Sequence, residues 1–345
     1  MERNTIVEDF KLNKKEIPLY AVYRQLENQP NELRDMSEIC LASEQAVNQC
    51  VAMEYLYING LYEELRQLLE KVRQTDQSFC RKVAKIYQIM YERKTLGKKQ
   101  LKPDAPVQYL KKLHRMKMQE EDYFLRILSD LVHIYCYFDM YQYGMIGTFN
   151  QTIKQHLSKI KDPLLYRLLD LRLQEALFIY HWKRNELILS RKYGYQLLQS
   201  INNPRKKIDI HNILAQGYIY ESYDQAIHHI HTAFKIAKDI DNERAVYGLK
   251  NYTLAFISAY HGKNDGIETE DKAEQAHLAL ADNRNEECIE ILNSFSSLTP
   301  FQQYYLGLAK KDKELLRASY QRFIDERDDY FYARLPLEAL NRLDK

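Results

Sequence analysis

Glycine and proline are scarce in this chain, at 10 and 8 of 345 residues. Both punctuate β-hairpins, and glycine-rich loops cradle phosphates, so an all-β fold and a Rossmann-type nucleotide-binding fold are disfavoured from the start. No uninterrupted apolar run approaches the ~18 residues that a membrane-spanning helix needs. The opening Met1-Glu2-Arg3-Asn4 lacks the apolar core of a secretory signal. An excess of one charge is also missing: 50 Lys+Arg stand against 48 Asp+Glu. The chain as a whole therefore has no strong electrostatic pull toward nucleic acid or membrane. Five cysteines, Cys40, Cys50, Cys80, Cys136 and Cys288, are odd in number, scattered and without a CxxC pair. They read as small core residues of a protein in a reducing cytoplasm.

Catalytic signatures are absent as well. The sequence has no GxSxG, HExxH, Walker loop or GxGxxG, so it is read as a non-enzyme without a cofactor. The acidic pairs Glu63-Glu64, Glu286-Glu287 and Asp328-Asp329 lie in polar, helix-rich stretches. In His228-His229-Ile230-His231, positions 228 and 231 can share a helix face, but no third ligand is evident. A metal site is not expected there.

What the chain has is helical periodicity. Leu61, Leu65, Leu68, Leu69 and Val72 recur at i, i+4, i+7, i+8 and i+11, one apolar stripe. Leu125, Leu128, Leu131, Val132 and Tyr135 form a second. Leu165, Leu168, Leu169, Leu171, Leu173 and Leu177 form a broader face suited to burial between two layers. About fifteen such segments follow one another, joined by short polar breaks of usual length. The breaks include Asn59-Gly60, Asn202-Asn203-Pro204, His261-Gly262-Lys263-Asn264 and Thr299-Pro300. Degenerate repetition around 57–65, 278–288 and 305–312 places one helix end and the next helix start within a few positions. The expected fold is all-α: a TPR-like helical-hairpin superhelix (an α-solenoid) over 36–345, with an extended binding surface. Residues 1–35 read as a lead-in segment with one short helix candidate, Leu19 to Leu26.

Two features bear on partners. Residues 81–117 carry twelve Lys/Arg against Glu92 and Asp104, which suits either phosphate contact or a solvated helix pair. The 28 tyrosines suit groove linings and interfaces, although most, as at Tyr135, Tyr137, Tyr141 and Tyr143, are expected in the core.

The C-terminal third has a more specific pattern. It runs from Glu274-Gln275-Ala276-His277 through Tyr304-Tyr305-Leu306 to Asp329-Tyr330-Phe331-Tyr332-Ala333-Arg334-Leu335-Pro336-Leu337-Glu338. This resembles the AimR family, the arbitrium receptors of temperate Bacillus phages, themselves similar to the Rap, NprR and PlcR regulators. The resemblance implies a cytoplasmic regulator of lysis and lysogeny in the bacterial host, whose DNA-bound transcription activation is controlled by a short signalling oligopeptide in the repeat groove. It places peptide contacts on Arg205 and Asp329. A guanidinium there would take a carboxylate, and a carboxylate a peptide cation. Other family positions differ: two asparagines fall near Ile179 and Lys183, and a glutamine near Ala273, which implies a different peptide or weaker binding. Only Pro18 to Gln29 matches the end of the family's helix-turn-helix, so the lead-in reads as a remnant of a DNA-binding domain. The chain ends Asn341-Arg342-Leu343-Asp344-Lys345, without the Leu-rich tail through which the family dimerises. Promoter DNA and a homodimer stay open as partners, and no residue is assigned to DNA. The alternative is a Rap-like adaptor acting through protein contact alone.

Overall fold

The computed structural model describes residues 5–12, 17–96 and 102–344; Met1-Glu2-Arg3-Asn4, Lys98 and Lys99 lie outside them. Among the described residues the regular structure is helical throughout, from Thr5–Leu12 to Tyr330–Leu343, with no strand. The three apolar stripes read from the sequence are interior. Leu65, Leu68, Leu69 and Val72 are at most 1% exposed, and the leucines of the 165–177 face are all buried. No helix among the described residues is long and apolar enough to cross a membrane.

The repetition that is faint in side chains is sharp in the turns. In six helix ends an N–H bonds the carbonyl five residues back: Leu61 to Leu56, Glu186 to His181, Asn242 to Ala237, Lys263 to Ser258, Arg284 to Ala279 and Asp312 to Gly307. Just before each donor sits a left-handed residue: Gly60, Asn185, Asp241, Gly262, Asn283 and Lys311. This is the Schellman closure, which satisfies carbonyls that a helix end leaves unpaired. The next helix starts at once where the donor is itself a cap. Asp312 accepts from Glu314 and Leu315 N–H, and Asn242 from Ala245 N–H. Gly307 lets the Pro300–Lys310 and Lys313–Asp325 helices close up, since an added Cβ would stand 2.9 Å from Leu316 side-chain carbons.

The helices group into two units, Met1–Met140 with Met145–Ala176, and Tyr141–Gly144 with Leu177–Lys345. Helix Leu19–Leu26 forms as expected, yet Leu19, Val22 and Leu26 are fully buried in the first unit. The Asn48 side chain clamps its start, accepting from Leu19 N–H at 3.1 Å and donating to the Ile17 carbonyl at 3.0 Å. A segment too short to bury its own apolar face joins the nearest core.

The first unit is built around helix Ala46–Ile58, buried along nearly its whole length. Inside it lies an ion pair. Arg172 Nη1 meets Glu54 Oε2 at 2.7 Å, with both side chains fully buried. Tyr87 hydroxyl donates to the same Glu54 oxygen, and Arg172 Nε donates to Tyr135 hydroxyl at 2.9 Å. Burial works against the guanidinium charge, but Glu54 and the tyrosine hydroxyls outweigh it and hold its pKa well above the ordinary value. All five cysteines are free and buried.

The second unit stacks its hairpins from Leu187–Ser200 to the last helix around an aromatic core that includes Trp182, Phe256, Tyr305, Phe323, Phe331 and Tyr332. The residues that carry the resemblance meet here. The His277 ring stacks on Tyr305 at 4.1 Å, and Glu274 accepts from the Tyr305 hydroxyl at 3.2 Å. Between Glu243–Gly248 and Ala255–Tyr260 the chain opens into a π-helix, Leu249–Leu254. There Asn251 Oδ1 accepts from Glu270 N–H at 2.7 Å. Not every tyrosine is core: Tyr143 is buried, whereas Tyr141 is 40% exposed in a left-handed turn.

Candidate peptide-binding face of the second unit

Helix Pro204–Gly217 begins at a well-made cap. The Asn203 side chain accepts from Arg205 and Lys206 N–H, and Pro204 takes the first helical position, where no N–H is needed. This explains the Asn-Asn-Pro break and fixes Arg205 in the first turn. Its side chain is exposed, and no ion-pair partner for its guanidinium occurs among the described residues. From Arg205 a polar stripe runs along the helix through Asp209, Asn212 and Gln216, at i, i+4, i+7 and i+11. Asn212 Oδ1 accepts from Thr253 Oγ1 at 2.7 Å, and Gln216 Oε1 accepts from the Tyr332 hydroxyl.

Asp329 is tied to the far end of this stripe through Tyr332, whose hydroxyl meets Gln216. It caps the last helix, accepting from Tyr332 N–H at 3.2 Å. It is not exposed: only 2% of the residue is accessible. Its Oδ2 holds Lys183 Nζ at 2.6 Å, and Lys183 is likewise buried. The ammonium sits 3.9 Å from the Trp182 ring centre, 4.7 Å from Tyr332 and 4.9 Å from Tyr143. Burial pulls the Lys183 pKa below the ordinary lysine value, with Asp329 opposing it. Two buried polar atoms on the adjoining turn, Trp182 Nε1 and Asn185 Oδ1, have no hydrogen-bond partner. Such atoms carry a desolvation cost until something pairs with them. Asn185 also lines a cleft of ≈ 350 Å³ with Arg191, Glu221 and Arg334.

The two positions to which the resemblance assigned peptide contacts thus fall on different helices of the second unit: Arg205 in the first turn of Pro204–Gly217, and Asp329 at the cap of Tyr330–Leu343. Lys183, noted only as a departure, turns out to be the partner of Asp329. A second cluster went unread. The sequence drew attention to His228 and His231, which are exposed, whereas His229 between them is buried. Its Nδ1 lies 2.9 Å from His211 Nδ1, and its Nε2 lies 3.2 Å from the Tyr195 hydroxyl. Burial first, and the neighbouring histidines second, push both His211 and His229 down to about 4. Among the described residues no group of three or more His, Cys, Asp or Glu side chains could hold a metal ion. The only signal in the sequence was the i, i+4 continuation of apolar positions through residues 226, 230 and 233, which sets 229 beside the buried face.

Known proteins resemble this chain over nearly all of its length. A family model described as AimR transcriptional regulator-like matches residues 32–342. An uncharacterized protein of Bacillus anthracis is 24% identical over 232 residues, covering 64% of this chain and 86% of that protein. A solved structure of phAimR with a ligand superposes with a TM-score of 0.76 at 19% identity, covering 96% of this chain and 98% of that one. Selenomethionine phAimR gives 0.66 at 18% identity, covering 98% and 92%. These structures support the all-helical fold.

Proposed function

The chain belongs to the AimR transcriptional regulator-like family, and on that premise we propose that it is a peptide-responsive regulator of DNA-bound transcription. The observation that carries the peptide half is the polar stripe. Arg205 and Gln216 lie eleven positions apart on one helix, about 16 Å along its axis. An extended peptide of about five residues covers that distance. Arg205 at one end takes the peptide's terminal carboxylate, and Asn212 and Gln216 offer amides along the way. Toward the other end stand the unpaired Trp182 Nε1–H and Asn185 Oδ1, on the turn whose Lys183 holds Asp329.

Lys183 sets the terms at that end. It already neutralises Asp329, so a peptide cation reaches the carboxylate only by displacing or sharing with a buried ammonium. A peptide for this chain is therefore one whose recognition leans on its carboxylate. Calorimetric titration of the full chain with the short peptides encoded beside its gene, each as free acid and as C-terminal amide, tests this. Amidation or Arg205→Ala is expected to weaken binding about tenfold or more, the size of one charge-assisted contact. Equal affinity of acid and amide, or no binding by any of these peptides, overturns the reading.

A further inference from the structure

A strongly basic surface of the first unit is also a cleft. It measures ≈ 610 Å³ and lies between the end of helix Tyr62–Arg73, the outer face of Ser78–Thr95 and the end of Ala105–His114. Its walls carry Arg73, Arg81, Lys85, Lys112 and Arg115, against the single carboxylate of Glu92. Arg81 and Lys85 rise from successive turns of one helix, about 6 Å apart along its axis. None of the five cations has an ion-pair partner among the described residues, and Glu92 is itself taken by the Gln88 amide at 3.0 Å. Elsewhere on the same helix Arg93 is neutralised by a two-pronged pair with Asp139 at 2.6 and 2.8 Å. The fold thus supplies a carboxylate to Arg93 and leaves Arg81 and Lys85 of the same helix facing an open cleft, where like charges repel.

We propose that this cleft is a contact site for the sugar–phosphate backbone of duplex DNA. The chemistry favours that polymer. Lys and Arg side chains are donors only, and the backbone N–H and C=O groups of the helices forming the walls are already paired within the helices. A DNA backbone carries acceptors only, so every group it brings can be met. An acidic peptide would bring backbone N–H donors, and RNA a 2′-hydroxyl donor, for which these walls offer only the Glu92 carboxylate and the Gln88 side-chain oxygen, already engaged by the Gln88 amide and by Arg73. Phosphate contacts of this kind position a duplex without reading its sequence.

The site deepens the DNA half of the function proposed above and is separate from the peptide face. The test uses the full chain and a fluorescent duplex of unrelated sequence, with anisotropy measured across a KCl series and compared with an R81Q/K85Q/R115Q variant. All three side chains are exposed, and helicity by circular dichroism together with unchanged peptide affinity reports an intact fold. Removing three contacts is expected to weaken binding more than tenfold at low salt and to flatten the slope of log K against log salt by roughly 2 to 3. If wild type binds and the variant matches it in affinity and slope, DNA is held elsewhere. This inference then fails while the regulator reading stands. If wild type binds no duplex at low salt, both fail. If polyglutamate displaces the duplex at equal charge concentration, and binds wild type but not the variant, the cleft serves an acidic protein and the DNA assignment is overturned.

Discussion

Among the described residues, each unit encloses an ion pair between a basic and an acidic side chain that are both buried, and the two are built to opposite ends. In the first, Arg172 and Glu54 are fully enclosed, with Tyr87 and Tyr135 bonded to them. An arginine does not lose its charge at any ordinary pH, and its planar donors are matched in place. In the second, Lys183 meets Asp329 through a single contact, and its pKa is lowered by burial. A lysine gives up or redirects its proton far more readily. The carboxylate in turn has another task, capping the last helix through Tyr332 N–H. The first pair fastens helices together. The second can be exchanged, and it sits where two buried polar atoms lack partners.

Breaking the first pair has the largest expected effect. Arg172→Met strands the Glu54 charge in the core and should cost about 3–5 kcal/mol, seen as a much lower calorimetric Tm. Adding Glu54→Gln removes the stranded charge while keeping an acceptor for Tyr87, and should recover part of that loss. If the double variant is no more stable than the single one, the pair is not what makes Arg172 costly to remove.

Breaking the second pair should cost less, about 1–3 kcal/mol for Lys183→Met, because Asp329 keeps its helix-capping bond and the favourable helix N-terminus. The same change frees Asp329 for a ligand cation. Peptides with an arginine or lysine should then gain affinity in calorimetric titration relative to wild type. A loss as large as that of Arg172→Met, with no gain for cationic peptides, would erase the contrast between the two units.

The smallest expected effect concerns acid. His211 and His229 titrate near 4 in the folded chain against an ordinary 6.5. Folded pKa values below the unfolded ones mean that the unfolded chain binds more protons. Stability is therefore fully present above about pH 6.5 and is lost as pH falls through about 4. Thermal unfolding at pH 7, 5.5 and 4.5 should show a falling Tm, and His229→Phe should flatten the trend. A variant with the same pH slope as wild type would place the acid sensitivity elsewhere.

Leucine stripes at helical spacing, such as Leu65, Leu68, Leu69 and Val72, were legible because burial of one helix face imposes a local rule on sequence. So were the Asn59-Gly60 and His261-Gly262 ends, where left-handed backbone favours glycine. Asn185, Asp241 and Lys311 make the same turn without announcing it, since the Schellman bond is a backbone event. At the candidate site, the two positions to which the resemblance assigned peptide contacts have unlike surroundings: Arg205 is exposed in the first turn of its helix, while Asp329 is buried.

By itself, the sequence determined that this protein is a run of amphipathic helix pairs, and its C-terminal pattern pointed to the family. Those properties depend on neighbours within one or two turns. Only the tertiary structure decided which charges are spent on one another. Arg172 with Glu54 and Lys183 with Asp329 join residues 118 and 146 positions apart. No local spacing encodes such a meeting, because it depends on how successive helices stack. The same stacking left Arg81, Lys85 and Arg115 without carboxylates, and so separated a solvated-looking charge run into one satisfied arginine and an open cationic cleft.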